Sequence, residues 1–168
     1  MENIEELPLY IKALELQKLV ETIMEVVADS ELLYETDEEG LLIEQSINFL
    51  LENSLIIPVT LKSAYDEDAV YDVKMECATL IRKAGIELTV DADNLEDFGF
   101  KHVEYLDILQ NEIDEFRVLF AEWVKTIDPS DYTIDRWGLF NPPGINYDDY
   151  DPDDDDFPFG TNDLFGDD

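Results

Sequence analysis

Residues 103–127 of this 168-residue chain read VEYLDILQNEIDEFRVLFAEWVKTI. Apolar residues recur in this stretch at spacings of three and four, with acidic residues at many of the positions between them. The apolar series is Leu106, Leu109, Ile113, Phe116, Phe120, Trp123 and Ile127. Because an α-helix has 3.6 residues per turn, this spacing places the whole series on one face. The stretch therefore predicts an amphipathic helix that packs on other elements along that face.

Three earlier stretches show the same spacing. The first series is Leu9, Ala13, Leu16, Val20, Ile23 and Val27. The second is Ile43, Ile47, Leu50, Ser54, Ile57 and Leu61, with Leu51 and Leu55 beside it. The third is Val70, Val73, Cys77, Leu80 and Ala84, with Ile81 and Leu88 alongside. Four amphipathic helices and no alternating strand pattern predict an all-α fold, an antiparallel up-down-up-down four-helix bundle.

Local signals mark the ends of these helices. Thr36 and Glu39 have the spacing of a capping box at the start of the second helix. Asp128 precedes a proline, which disfavours helical dihedrals and ends the fourth helix. We expect links at about 28–37, 63–68 and 89–99. Pro58 lies inside the second helix, where it removes a hydrogen bond and predicts either a kink or a break.

The chain is strongly acidic. It has 43 aspartates and glutamates against 10 lysines and arginines, a net charge of −33. Residues 128–168 hold 13 aspartates, no glutamate and a single base, Arg136. Prolines and glycines interrupt this part repeatedly, so we expect residues 1–127 to form the bundle domain. Residues 128–168 should form an irregular, acidic, aromatic-containing tail that is largely extended or disordered.

The tail carries the residues that we predict to bind a partner. Aromatic side chains interleaved with aspartates are typical of a segment that orders on another protein. The predicted partner-binding residues are Trp137, Phe140, Tyr147, Tyr150, Asp153, Asp154, Asp155, Asp156, Phe157, Pro158 and Phe159. In the alternative arrangement, Trp137, Leu139 and Phe140 fold back on the bundle.

Part of the tail resembles a known recognition element. The run Asp153 to Phe159, DDDDFPF, is similar to the acidic tip of bacterial single-stranded-DNA-binding proteins. The resemblance implies docking into an apolar pocket with a basic rim, where aromatic rings fill the pocket and aspartates meet lysine or arginine. The run departs from that family because nine residues follow Phe159, and the rest of the chain predicts no oligonucleotide-binding barrel.

The chain lacks the residues that most catalytic and cofactor-binding sites require. The chain has one cysteine, Cys77, and one histidine, His102, which excludes an internal disulfide, a standard zinc site and a di-iron bundle site. It has no glycine-rich phosphate loop and no nucleophile elbow. We therefore predict no catalytic residue, no metal and no cofactor. Glu112 and Glu115, one helical turn apart, are the alternative: a pair that shares a divalent ion.

These features favour a non-catalytic protein–protein interaction protein, of an adaptor, inhibitor or immunity type, that engages a basic partner. Two alternatives stay open: a nucleic-acid mimic that inhibits a DNA- or RNA-binding protein, and an enzyme with an acidic divalent-metal site in the bundle. The charge disfavours direct nucleic-acid binding by the bundle. Because no secretory signal and no long apolar run is present, we expect a cytoplasmic protein without membrane contact. The oligomeric state is left open.

The first prediction concerns repulsion among the acidic side chains. Added salt screens this repulsion in the folded chain, where the charges are held closest together. The melting temperature, followed by circular dichroism, should therefore rise when NaCl is increased from about 20 mM to about 300 mM. A melting temperature that stays flat or falls over this range would contradict the prediction.

Overall fold

The computed structural model describes residues 3–29 and 35–153 of the chain. They form four α-helices: α1 (Pro8–Asp29), α2 (Asp37–Ala64), α3 (Tyr71–Asp97) and α4 (Val103–Val124). A short 3-10 turn, Ile4–Glu6, precedes α1. The described residues contain no β-strand. The all-α fold class that the sequence predicts is confirmed.

The helices form an antiparallel ring in which each packs on two neighbours. Helix α1 contacts α2 and α4, and α3 contacts the same two. Lys62 in the last turn of α2 lies over the ring of Tyr10 in the first turns of α1, 5.7 Å from its centroid. Gln110 in the first half of α4 donates to Asp93 near the end of α3 at 2.7 Å. The predicted up-down-up-down four-helix bundle is thus the observed one.

The core lies along the central axis between the four helices. The main positions of the first, second and fourth apolar series face it, although Val27 and Phe120 are only partly buried. Of the two residues expected beside the second series, Leu51 is partly buried and Leu55 is exposed. Several large side chains in it have less than 2% of their surface exposed, among them Leu16, Ile23, Leu50, Ile57, Leu61 and Leu109. Each such side chain contributes roughly 1.5–3 kcal/mol of transfer free energy relative to an exposed one.

The core face of α3 differs from the predicted one. Val73 and Leu80 are 37% and 48% exposed, although the predicted stripe runs through both. The buried residues are instead Cys77, Ala78, Ile81, Ala84, Leu88, Ala92 and Leu95. Apolar residues lie on two adjacent faces of this helix, and the spacing alone does not show which face meets α2 and α4.

Helix α3 also runs farther than predicted, since residues 89–97 are helical rather than a link. Its end is a Schellman motif. Gly99, with φ at +93°, donates to the carbonyl of Glu96 at 3.1 Å, and Phe100 donates to that of Leu95 at 2.9 Å. Phe100 and Leu95 are both buried, which is the apolar contact that usually accompanies this motif. The acidic run before Gly99 belongs to the helix because Leu95 continues its apolar face.

The structure agrees more closely with the sequence predictions at the start of α2 and at Pro58. The hydroxyl of Thr36 accepts the N–H of Glu39 at 3.1 Å, as the capping box predicts. Pro58 is buried inside α2, and the helix continues through it to Ala64. The hydroxyl of Ser54, whose carbonyl faces the missing N–H, donates to the carbonyl of Leu51 at 2.8 Å. The helix therefore does not break at the proline.

After α4 the chain is irregular, as predicted, but residues 128–153 are folded into hydrogen-bonded turns rather than extended. Residues 154–168 lie outside the described residues. The difference arises because aspartate, asparagine and glycine, which discourage helices, also favour tight turns closed by their side chains.

The second prediction compares two adjacent residues of α4. Leu109 is fully buried, whereas Ile108 is 49% exposed. Leu109→Ala should lower the free energy of unfolding by about 2–5 kcal/mol because it opens a cavity in the core. Ile108→Ala, the matched control, should change it by less than about 1 kcal/mol. Urea unfolding followed by circular dichroism measures both, and similar losses in the two variants would contradict the assigned core face.

Candidate functional site

Among the described residues, the stretch with the most exposed aromatic surface is residues 128–153, which we call the aromatic segment. It is joined to the bundle at the start of α3. The backbone N–H of Tyr71 donates to the carbonyl of Asp131 at 2.8 Å, and the hydroxyl of Thr133 lies 3.2 Å from the carboxylate of Asp72. These contacts place the segment at the end of the bundle where α3 begins and α4 ends.

A single carboxylate organises the first half of the segment. Asp135 accepts the backbone N–H groups of Trp137, Leu139 and Phe140 at 2.8–2.9 Å. The side chain of Asn141 closes the loop, because it accepts from the N–H of Asp135 at 2.7 Å and donates to its carbonyl at 2.9 Å. The N–H of Phe140 has the largest effect and lowers the pKa of Asp135; burial opposes it, and the N–H groups of Trp137 and Leu139 lower the pKa further. The loop is therefore held by an ionised carboxylate.

Arg136 fixes the second half of the segment to the first. Its guanidinium donates to the carbonyls of Tyr147 and Asp149 at 2.8 and 2.7 Å. The carboxylate of Asp149 in turn accepts the N–H of Asn146 at 2.9 Å. A Cβ added at Gly138, where φ is +74°, would lie 3.4 Å from the Cβ of Tyr147, so the two halves run close to each other. Five donors in a planar fork suit arginine to this bridging of two carbonyls.

The turns leave large apolar side chains in water. Trp137 is 96% exposed, Leu139 73%, Tyr150 66% and Tyr147 59%. Phe140 is partly buried and, with Trp137 and Leu139, lines a shallow hollow of about 210 Å³ against Asp72 and Glu76 of α3. An exposed tryptophan on a segment fixed by hydrogen bonds is the kind of side chain that anchors protein interfaces.

The predicted partner-binding residues divide into two groups. Trp137, Phe140, Tyr147, Tyr150 and Asp153 lie on the aromatic segment. The remaining ones, Asp154, Asp155, Asp156, Phe157, Pro158 and Phe159, lie outside the described residues. The alternative in which the first aromatic residues fold back on the bundle is not observed for Trp137 and Leu139, which face solvent, whereas Phe140 is partly buried beside the start of α3. A role in binding stays a prediction for the whole set.

Sequence reasoning missed the residues that shape the segment. Asp135, Arg136 and Asn141 make most of its internal hydrogen bonds, yet none of them was predicted to matter. A signal was present, since Asp135 stands two residues before Trp137 and three before a glycine, a typical Asx-turn arrangement. Leu139 was also missing from the predicted binding residues, although it is more exposed than Tyr147 or Tyr150.

The alternative metal pair, Glu112 and Glu115, is engaged by a lysine. The ammonium of Lys12 on α1 lies 2.7 Å from a carboxylate oxygen of Glu112 and 2.6 Å from one of Glu115. The hydrogen bonds that Lys12 donates to these two glutamates raise its pKa above its usual range. A divalent ion would have to displace this ammonium. Within residues 3–29 and 35–153, no group of three or more potential ligands is placed to hold a metal.

Cys77, the only thiol, lies in the core. Burial raises its pKa, and the nearby charge of Glu76 raises it further. Since the thiolate is the reactive form, this environment suits packing rather than nucleophilic chemistry. The position therefore agrees with the predicted role of Cys77 as a core residue of the third helix.

Comparison of the chain with protein-family models, with curated proteins and with solved structures found no match. In the described part of the chain, no helix is both long and apolar enough to cross a bilayer.

The third prediction tests the link that Lys12 makes between α1 and α4. Lys12→Met should lower the free energy of unfolding by about 1–3 kcal/mol, because two neighbouring carboxylates lose a largely buried counter-charge. The raised pKa of Lys12 means that its stabilising effect is fully present below the unfolded-state value of about 10.5 and is lost as pH rises through the folded-state value. Urea unfolding at pH 7 and pH 9 measures the difference.

The same loss is expected at both pH values. Lys18→Met, a change of another lysine on α1, is the control and should be close to neutral. A loss that disappears between pH 7 and pH 9 would show that the Lys12 contacts do not carry this stability.

Proposed function

We propose that this protein is a non-catalytic binding protein that engages a basic protein partner through the aromatic segment. The observation that carries the proposal is the exposure of Trp137, 96%, on a loop that is closed by hydrogen bonds of Asp135 and Arg136. Transfer of the large apolar surface of tryptophan from water into an apolar pocket is favourable, and tryptophan is among the residues most enriched at the energetic centres of interfaces. Covering Trp137 with a partner would gain this transfer free energy.

The internal hydrogen bonds of the segment support this use. Binding by a flexible tail requires each side chain and the backbone to be ordered, which reduces affinity. Here the N–H groups of Trp137, Leu139 and Phe140 already have an acceptor in Asp135. Much of the conformational entropy of the backbone is thus already lost in the unbound protein. A larger part of the contact free energy is therefore available for affinity.

The charge of the segment indicates the partner class. Residues 128–153 contain seven aspartates and one arginine. Like charges across an interface are unfavourable, whereas a basic surface would be attracted and steered toward the segment. The neighbouring hollow is lined by Asp72 and Glu76 of α3, which extends the acidic surface onto the bundle. A partner rich in lysine and arginine with an apolar pocket fits this combination.

The fourth prediction concerns Trp137. A basic protein captured by the immobilised full-length chain would be identified by mass spectrometry, produced separately and titrated by calorimetry. Trp137→Ala should raise its Kd by about 30-fold, the effect of losing a hot spot of about 2 kcal/mol. Leu14→Ala, at an exposed apolar residue on α1, is the control and should leave the Kd unchanged. The Kd should also rise with salt concentration.

A second variant distinguishes the effect of the loop's hydrogen bonds from that of the contact made by the Trp137 ring. Asp135→Asn keeps Trp137 but weakens the acceptor of three N–H groups, so the Kd should rise by only about 2–10-fold. A partner whose affinity is unaffected by Trp137→Ala would contradict the proposal. Displacement of that partner by duplex DNA would instead favour the nucleic-acid-mimic alternative.

A further inference from the structure

A pocket of about 440 Å³ lies between α2 and α3, away from the aromatic segment. Its apolar wall includes Phe49 and Val90, whose side chains are 52% and 50% exposed. The lining also contains polar and acidic side chains from both helices. The full set is Phe49, Glu52, Asn53, Ile56, Glu87, Val90 and Asp91. No basic residue is among them, so the pocket joins an apolar wall to several negative charges.

The unusual member of this set is Asp91. Only 8% of its surface is exposed, although it carries a carboxyl group. The side chain of Asn53 on α2 forms a hydrogen bond with it. The second oxygen, Oδ2, is buried and has no hydrogen-bond partner among the described residues. A carboxylate normally accepts several hydrogen bonds, so this group is short of positive charge and of donors.

The surroundings of Asp91 make its charge costly. Burial raises the pKa of Asp91, and repulsion from Glu87 raises it further, while the hydrogen bond from Asn53 opposes them. An uncompensated buried charge is among the more destabilising features that a protein can carry. A cation brought into the pocket would compensate it, and the low local polarity would strengthen that interaction.

We propose that this pocket binds the side chain of a lysine from the basic partner, with its ammonium on Asp91 and its methylene stem along Phe49, Ile56 and Val90. The ammonium has three donors, and three carboxylates line the pocket: Asp91, Glu52 and Glu87. An ammonium placed among these three carboxylates would offset the charge of Asp91 through space, whichever of its two oxygens it meets. The assignment rests on the proposed function, because it assumes a basic partner.

The position of the pocket allows the same partner to reach both sites. Glu76, beside the aromatic segment, and Glu87, in the pocket, are eleven positions apart on α3. Eleven residues are close to three helical turns, so both side chains leave the same face of the helix about 17 Å apart. A standard interface covers about 800 Å² on each partner, an extent of about 30 Å. One partner surface therefore spans the two sites.

The fifth prediction uses n-butylammonium chloride as a probe for the lysine side chain. It would be titrated into the full-length ¹⁵N-labelled protein, and amide shifts would be followed by NMR. We expect saturable shifts centred on Asn53, Val90 and Asp91. Asp91→Asn, which keeps the shape of the side chain, should weaken binding of the probe at least fivefold. Asp97→Asn, at an exposed acid on the same helix, should leave it unchanged.

Two outcomes would overturn the assignment. Equal shifts with n-butanol, the neutral counterpart, would mean that the pocket takes apolar chains without regard to charge. Unchanged probe affinity in Asp91→Asn would mean that the attraction comes from the overall acidity of the protein. Because the probe experiment requires neither the partner nor Trp137, its failure is separate from a failure of the proposed function. With the partner in hand, Asp91→Asn should also raise its Kd at least fivefold.

Discussion

The packing of four apolar helix faces against one another is the interaction on which the rest of this protein depends. It has to oppose repulsion among 43 acidic side chains, only 10 of which could be paired one-to-one with a base. Apolar burial does not depend on the sign or number of surface charges, so a well-packed core permits a surface with a large excess of acidic side chains. Repulsion between acidic side chains is also offset locally. Lys12 on α1 pairs with two neighbouring glutamates of α4.

The sequence was sufficient to predict the fold because the apolar series are long and regular. The series of α4 has one interpretation, and its members from Leu106 to Trp123 lie where the spacing put them. The prediction was wrong for α3, where Val73 and Leu80 belong to a second apolar face that is open to solvent. It also ended α3 too early, because the acidic run before Gly99 resembles a link in composition. Composition does not show that Gly99 and Phe100 close a helix end.

The sequence was sufficient to predict which residues make up the candidate site, but not the hydrogen bonds that arrange them. Trp137, Tyr147 and Tyr150 were identified because aromatic rings are conspicuous in an acidic run. Their fixed arrangement depends on Asp135 accepting three N–H groups and on Arg136 bridging two carbonyls. These are hydrogen bonds between residues up to 13 positions apart, which a local propensity argument does not contain. Asp91 was missed for a related reason, since its burial follows from the true length and rotation of α3.

An acidic surface alone would not discriminate between basic partners. Long-range attraction raises the rate of encounter with any basic protein, and most of that attraction is screened at physiological salt. Discrimination between partners requires contacts that lose free energy when the wrong side chain is present. In our proposal two such contacts lie along one side of α3: the exposed Trp137 of the neighbouring aromatic segment, which an apolar pocket would cover, and the buried carboxylate of Asp91, which a cation would compensate. A basic partner without a pocket and a correctly placed lysine would be attracted, but it would not be held.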